Sequence, residues 1–98
     1  MMTLKYKARF EKAFRKLSAQ DQQRVTDTVE QVDRFFTNRQ APEGLGLKKL
    51  FSVESIGVVC EARATLALRI LFSIQQDALT LLMVGDHDEV RRFMRSFR

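Results

Sequence analysis

The sequence has few of the residues that build metal centres and disulfides. It contains one cysteine, Cys60, and one histidine, His87, among 98 residues. A lone cysteine cannot form an internal disulfide, and one cysteine with one histidine falls short of the four ligands of a structural zinc site. The composition therefore predicts a protein that works without a metal or cofactor in a reducing cytoplasm.

Long hydrophobic runs are also missing. The most apolar stretches, residues 66–72 and 78–84, contain polar side chains and are far shorter than the roughly 20 residues of a membrane-spanning helix. The first ten residues, MMTLKYKARF, lack the apolar core of a secretory signal. We expect no membrane segment and no signal peptide, and the length predicts one domain over residues 1–98.

The charge is positive and unevenly distributed. The net charge is +5, and the first 16 residues carry six basic side chains against Glu11 alone. Bases return later in the chain at Lys48, Lys49, Arg63, Arg69, Arg91, Arg92, Arg95 and Arg98. Clustered basicity favours a polyanionic partner, nucleic acid first, while a merely solvated surface is the alternative.

Two helices are predicted near the start of the chain, after a weak strand at residues 3–6. Ser18 and Asp21 form a capping box that begins the second helix close behind the first, so the two should form a helical hairpin. The second helix should end near residues 37–38, before a loop at residues 39–47. The apolar stripes are Phe10, Ala13, Phe14 and Leu17 in the first helix, and Val25, Val29, Val32 and Phe36 in the second.

In the second half of the chain, apolar residues recur with a period of two. Residues 58–64, 66–74 and 78–84 read as three strands joined by short turns, an antiparallel meander. Asp86 and Glu89 then cap a closing helix. One face of the second strand is assigned Leu66, Leu68, Ile70, Phe72 and Ile74, and the other Ala67, Arg69, Leu71 and Ser73.

The resulting order is β-α-α-β-β-β-α. It predicts an α+β fold with an N-terminal helical hairpin and a C-terminal helix packed on a small, mainly antiparallel sheet. We expect the helices to cover one apolar face. The other face, which carries the arginines, should stay largely uncovered.

Four segments resemble parts of the RelE/ParE toxin superfamily, in the same order and over nearly the whole chain. FEKAFRKLSAQDQQRV is similar to its opening helical hairpin, and GLGLKKL to the linker and strand start that follow. CEARATLALRILFSI resembles the paired central strands, with E-x-R followed by R-x-x-Y/F. LLMVGDHDEV resembles the last strand and its ending.

The resemblance implies the toxin of a type II toxin–antitoxin system, with a RelE-like fold and a cognate antitoxin as partner, in a possible toxin–antitoxin hetero-oligomer. RelE-like members cut messenger RNA, usually on the ribosome, and so inhibit translation. ParE-like members instead bind DNA gyrase and lack RNA-cutting residues. Both targets remain open, as does a non-toxic relic that binds only its antitoxin or nucleic acid.

Metal-independent RNA cleavage needs a base for the 2′-hydroxyl, positive groups for the phosphate and an acid for the leaving oxygen. Arg63 and Arg69 are predicted on adjacent strands of the face away from the helices, where both guanidinium groups could reach one phosphate. The structural alternatives are an ion pair between Arg63 and Glu61 or another nearby acid, and simple solvation of the sheet by Arg69.

The remaining candidates come from the family's functional regions. Lys48 and Lys49, just before the central strands, are interpreted as RNA-backbone contacts, with two solvated loop lysines as the alternative. His87, at the start of the last helix, is the candidate catalytic base, with a helix-cap role as the alternative. Many family members have a tyrosine where this chain has Phe72 or Phe97, which could stack on a base but cannot transfer a proton.

Overall fold

The computed structural model describes residues 2–38 and 45–97, and of Phe97 the backbone only. These residues form helices on both faces of a five-stranded sheet, which confirms the α+β class. The elements in chain order are β1 Thr3–Tyr6, α1 Ala8–Arg15, α2 Ala19–Asn38, β2 Lys48–Val53, β3 Gly57–Arg63, β4 Arg69–Gln75, β5 Ala78–Gly85 and α3 His87–Met94, followed by a 3₁₀ turn at Arg95–Phe97.

The sheet is mainly antiparallel, as predicted. Its strand order is β1-β5-β4-β3-β2, and only β1 runs parallel to its neighbour, from the pair Thr3 and Ala78 to the pair Tyr6 and Leu81. The helical hairpin connects β1 to the four-stranded meander. The first and last strands of the chain therefore lie side by side.

Strand β2 was missed by the sequence pattern, which predicts four strands and places Lys48 and Lys49 just before the sheet. The structure pairs Lys49 with Cys60 and Phe51 with Val59, so that Leu50 forms a bulge. A bulge inserts one residue and shifts the alternation of faces. The regular period of two that reveals the other strands is therefore absent from β2.

The N-terminal hairpin is confirmed, including its cap. The Ser18 hydroxyl accepts a hydrogen bond from the Asp21 amide at 3.1 Å, and the Gln22 side chain donates to the Phe14 carbonyl at 3.0 Å. Helix α2 ends at Asn38, as predicted. Of the predicted loop at residues 39–47, residues 39–44 lie outside the described part.

The hairpin packs against one face of the sheet through the predicted side chains of β4. Phe72 is fully buried there, and its ring meets the ring of Phe36 edge-on at 6.1 Å. Leu66 was assigned to the same face, but this is wrong, because its exposed fraction is 91%. The Thr65 hydroxyl accepts hydrogen bonds from the amides of Ala67 and Leu68, so a turn occupies these residues and β4 begins only at Arg69.

The expectation that all helices lie on one face is also wrong. Helix α3 packs on the second face, where its buried Val90 belongs to one apolar cluster with Val59, Leu71 and Met83. The second face is itself apolar over half of its length, and such a surface needs a covering layer. The cap of α3 is as predicted, with reciprocal hydrogen bonds between Asp86 and Glu89 at 2.8 and 2.9 Å.

Among the helices that the structure describes, none combines the length and the apolar character needed to cross a bilayer.

The burial of Phe72 leads to a stability prediction. Phe72→Ala should lower the free energy of unfolding by about 3–5 kcal/mol, because it removes a large, fully buried side chain and leaves a cavity. The matched control is Leu66→Ala, where 91% exposure predicts a change within about 0.5 kcal/mol. Urea denaturation followed by circular dichroism gives both values, and similar losses for the two variants would contradict the assigned packing.

Candidate active site

Arg63 and Arg69 lie directly opposite each other at one end of the sheet. Arg63 is the last residue of β3, Arg69 is the first of β4, and the two are partners in the antiparallel register. Side chains of directly paired residues project to the same face. Arg63 is exposed, and the side chain of Arg69 is 23% exposed. The structure therefore brings the two predicted phosphate-binding residues together on an accessible surface.

The Glu61 carboxylate lies beside the buried Nε of Arg69. The Arg69 Nε lies 3.7 Å from the Glu61 Oε1, and the Glu61 side chain is 15% exposed. This distance makes an ion pair rather than a hydrogen bond, and Nε is buried without a hydrogen-bond partner among the described residues. Glu61 thus pairs with Arg69 and not with Arg63, the partner considered from the sequence.

The backbone just before β2 runs close to Arg63 and accepts a hydrogen bond from its amide. The Arg63 amide donates to the Leu45 carbonyl at 2.8 Å, and Gly46 adopts a φ of +59°, which favours glycine. A Cβ at Gly46 would lie 3.2 Å from the Arg63 Cβ and 3.7 Å from its Nε. The missing side chain at Gly46 therefore lets the chain run closely along Arg63.

The two predicted RNA-contacting lysines lie on different faces. Lys48 pairs with Glu61 and shares the face of the arginines, whereas Lys49 pairs with Cys60 and shares the hairpin face. Both lysines are exposed. Burial raises the pKa of the Cys60 thiol, and the nearby charge of Lys49 opposes this more weakly. Cys60 is thus a buried, protonated thiol, in keeping with its interpretation as a small core residue.

His87 lies at the same end of the sheet as the arginine pair. It is the exposed first residue of α3, two positions after Gly85, which is the sheet partner of Arg69. The helix cap is made by Asp86, so the His87 side chain is not needed for capping. The position leaves the imidazole available to a ligand bound near Arg69.

The site combines cations with one carboxylate. Lys48, Glu61, Arg63 and Arg69 share one face, and His87 follows the adjoining strand. Guanidinium groups bind phosphate oxygens through paired donors. Sequence reasoning missed Glu61 as a functional residue, although its spacing of two from Arg63 already placed both on one face.

Neither family models nor curated protein sequences match the chain. Solved structures do match it. A copper-bound mutant toxin from Helicobacter pylori aligns at a TM-score of 0.72 with 20% identity, over 92% of this chain and 99% of that one. RelE from a Pyrococcus horikoshii RelE–RelB complex aligns at 0.68 with 16% identity, over 87% and 93%. Escherichia coli YafQ aligns at 0.63 with 13% identity, over 92% and 98%.

The chain has a RelE-like toxin fold. At these identities the likeness concerns the arrangement of helices and strands. Two of the similar Helicobacter pylori structures contain a metal. Within residues 2–38 and 45–97 of this chain, no group of three histidine, cysteine or acidic side chains lies close enough to hold one.

Two aromatic residues singled out from the sequence lie away from the arginine pair. Phe72 is fully buried on the hairpin face, so the expectation that it could stack on a base is wrong. Tyr6 is 52% exposed on the edge strand β1, two strands away from β4. The side chain of Phe97 lies outside the described part of the chain.

The ion pair with Arg69 predicts that two substitutions of Glu61 destabilise the fold to different extents. Glu61→Ala should lower the free energy of unfolding by about 1–2 kcal/mol, between the values of exposed and buried pairs, because Arg69 Nε stays buried without a counter-charge. Glu61→Gln should lower the free energy of unfolding by less, since an oxygen remains beside the Arg69 Nε. Urea denaturation measures both.

The control for this series is Glu11→Ala, which breaks an exposed pair with Arg15 at 3.4 Å and should cost at most about 0.5 kcal/mol. Equal losses of unfolding free energy in Glu61→Ala and Glu11→Ala would show that the Glu61–Arg69 pair stabilises the fold no more than an exposed pair does.

Proposed function

We propose that this protein is the toxin of a type II toxin–antitoxin pair and inhibits translation by cutting messenger RNA on the ribosome. The observation that carries the proposal is the Arg63–Arg69 pair on the accessible end of a RelE-like sheet. Support also comes from the solved proteins of the same fold, which are named as toxins or occur as RelE–RelB and DinJ–YafQ complexes. A cognate antitoxin is accordingly the proposed protein partner, and the cytoplasm the proposed location.

The proposed reaction is an internal transesterification of RNA. The 2′-oxygen attacks the adjacent phosphorus and the bond from phosphorus to the 5′-oxygen breaks. The 5′-oxygen takes a proton from solvent water as it leaves, so the products are a 2′,3′-cyclic phosphate and a 5′-hydroxyl. Arg63 and Arg69 hold the phosphate and stabilise the negative charge that grows on its oxygens.

His87 is the proposed base that takes the 2′-hydroxyl proton. It follows the strand that pairs with Arg69, so a phosphate held by the arginines lies near the start of α3. Glu61 has a different proposed role, since its carboxylate faces Arg69 Nε. It orients the guanidinium so that the outer nitrogens meet the phosphate.

Lys48 is the proposed backbone contact on this surface. It shares the face of the arginine pair, and a lysine ammonium binds phosphate as a point charge. Lys49 faces the hairpin side, so it would contact only RNA that passes around the β2 edge of the sheet.

Expression in cells tests the function. Induction of the wild-type chain should stop protein synthesis, and co-expression of the partner encoded beside it should restore growth. Arg69→Ala should restore growth without the partner, since loss of one charge-stabilising donor costs about 10²–10³ in rate. His87→Ala should do the same, since loss of a general base costs about 10²–10⁴.

The matched control is Arg24→Ala, which removes an exposed arginine on α2 and should leave the arrest intact. Normal arrest by both site variants would rule out the assigned site. A DNA-damage response that precedes any fall in protein synthesis would point to gyrase instead.

The chemistry has its own test with purified protein. Cleavage of messenger RNA on programmed ribosomes should need no divalent metal beyond the Mg²⁺ that keeps the ribosomes assembled, because side chains supply the proposed catalysis. A single 2′-deoxy nucleotide at the cut position should block cleavage there, because the attacking oxygen is gone. Mass spectrometry of the fragments should find the cyclic phosphate, and cleavage at a 2′-deoxy position would disprove the mechanism.

A further inference from the structure

A groove of about 410 Å³ lies between helices α1 and α3, over the end of strand β5. Four basic side chains line this basic groove, namely Arg9 and Lys12 from α1, Lys16 directly after α1, and Arg92 from α3. All four are exposed. The proposed RNA-cutting site does not use any of them.

The groove follows from the residue spacing of α1. Arg9, Lys12 and Lys16 recur at intervals of three and four, which places them on one side of the helix. The Arg9 guanidinium lies 5.5 Å from the ring centroid of Phe93 in α3, and this cation–π contact connects the two walls. The basic side chains therefore face a shared channel rather than pointing apart.

The positive charge of the groove is not neutralised from within. Among the described residues, Lys12, Lys16 and Arg92 have no acidic partner within 4 Å. Glu89 is the single acid of the lining, and its Oε1 accepts the Asp86 amide at 2.9 Å in the cap of α3. Four cations thus face one carboxylate that is already engaged.

The groove is continuous with the arginine pair. Gly85 lines the groove and is the sheet partner of Arg69, while Leu68, also in the lining, directly precedes Arg69. A chain of phosphates held at Arg69 therefore passes beside two residues of the groove lining. We propose that the basic groove binds the backbone of single-stranded RNA beside the bond that is cut, an inference that rests on the proposed function.

A polyanion fits this groove better than a protein segment does. On another side of α1, a mainly apolar groove is lined by Leu4, Tyr6, Phe10 and Phe14 among others, and such a surface suits apolar side chains. The basic groove instead presents a row of charges, the arrangement that tracks a nucleic-acid backbone.

Binding of uncleavable RNA tests the proposal. The probe is a short single-stranded RNA with every 2′-oxygen methylated, and its affinity for the full chain is measured by fluorescence anisotropy across salt concentrations. The logarithm of the binding constant falls linearly with the logarithm of the salt concentration. Because K12Q/K16Q removes two cations that neutralise phosphates, it should make this slope shallower by about 1.4. The variant should bind about 25-fold more weakly at roughly 0.1 M salt but nearly equally at about 1 M.

The matched control is R24Q/R34Q, with the same change in net charge on the exposed side of α2, which should bind almost like wild type. Thermal melting confirms that both variants fold. RNA affinity that is unchanged in K12Q/K16Q, or lowered equally in the control, would overturn the proposal. So would a variant that loses only its affinity for the antitoxin, because the groove would then serve a protein.

Failure of the groove and failure of the proposed function give different results. If the wild type cuts RNA through Arg69 but K12Q/K16Q binds the probe normally, the groove proposal alone is wrong. If no RNA is cut while probe binding still depends on Lys12 and Lys16, the groove binds RNA but not beside a cleaved bond, and the nuclease function is wrong.

Discussion

The constraint on which the site depends is electrostatic. Two arginines face each other across β3 and β4, and like charges in directly opposed positions destabilise a sheet. Glu61 offsets this by pairing with Arg69, and the Thr65 turn fixes the short connection between the strands. The remaining positive charge has no partner in the described chain. The sheet end is thus assembled by local structure while its charge stays available to an anion.

Helix α3 links stability to the position of His87. Its apolar side covers Val59 and Leu71 on the second face of the sheet, and its cap is fixed by Asp86 and Glu89. Two kinds of contact therefore fix the start of the helix: its apolar packing on the sheet and the hydrogen bonds of its cap. Because His87 is the first residue after the cap, these same contacts hold the imidazole near the end of β5 without using its side chain.

Periodic patterns predicted most of the fold and the arginine pair. The alternation in β4 separates Ile70 and Phe72 from Arg69, and the short turn after Arg63 brings the two arginines into register. Features that depend on broken periodicity were not predictable. The bulge at Leu50 concealed β2, and with it the separation of Lys48 from Lys49. The Glu61–Arg69 contact depends on side-chain conformations that a pattern of residue types does not specify.

The distribution of acidic partners explains why the basic groove keeps its positive charge. Glu11 and Glu30 pair with arginines one turn along their own helices, while Glu89 is bound to the cap of α3. Each of these carboxylates is engaged within its own element, and none reaches across to Lys12 or Lys16. The basic side of α1 consequently keeps its charge. Local helix chemistry, rather than an excess of bases alone, therefore leaves the basic groove positively charged.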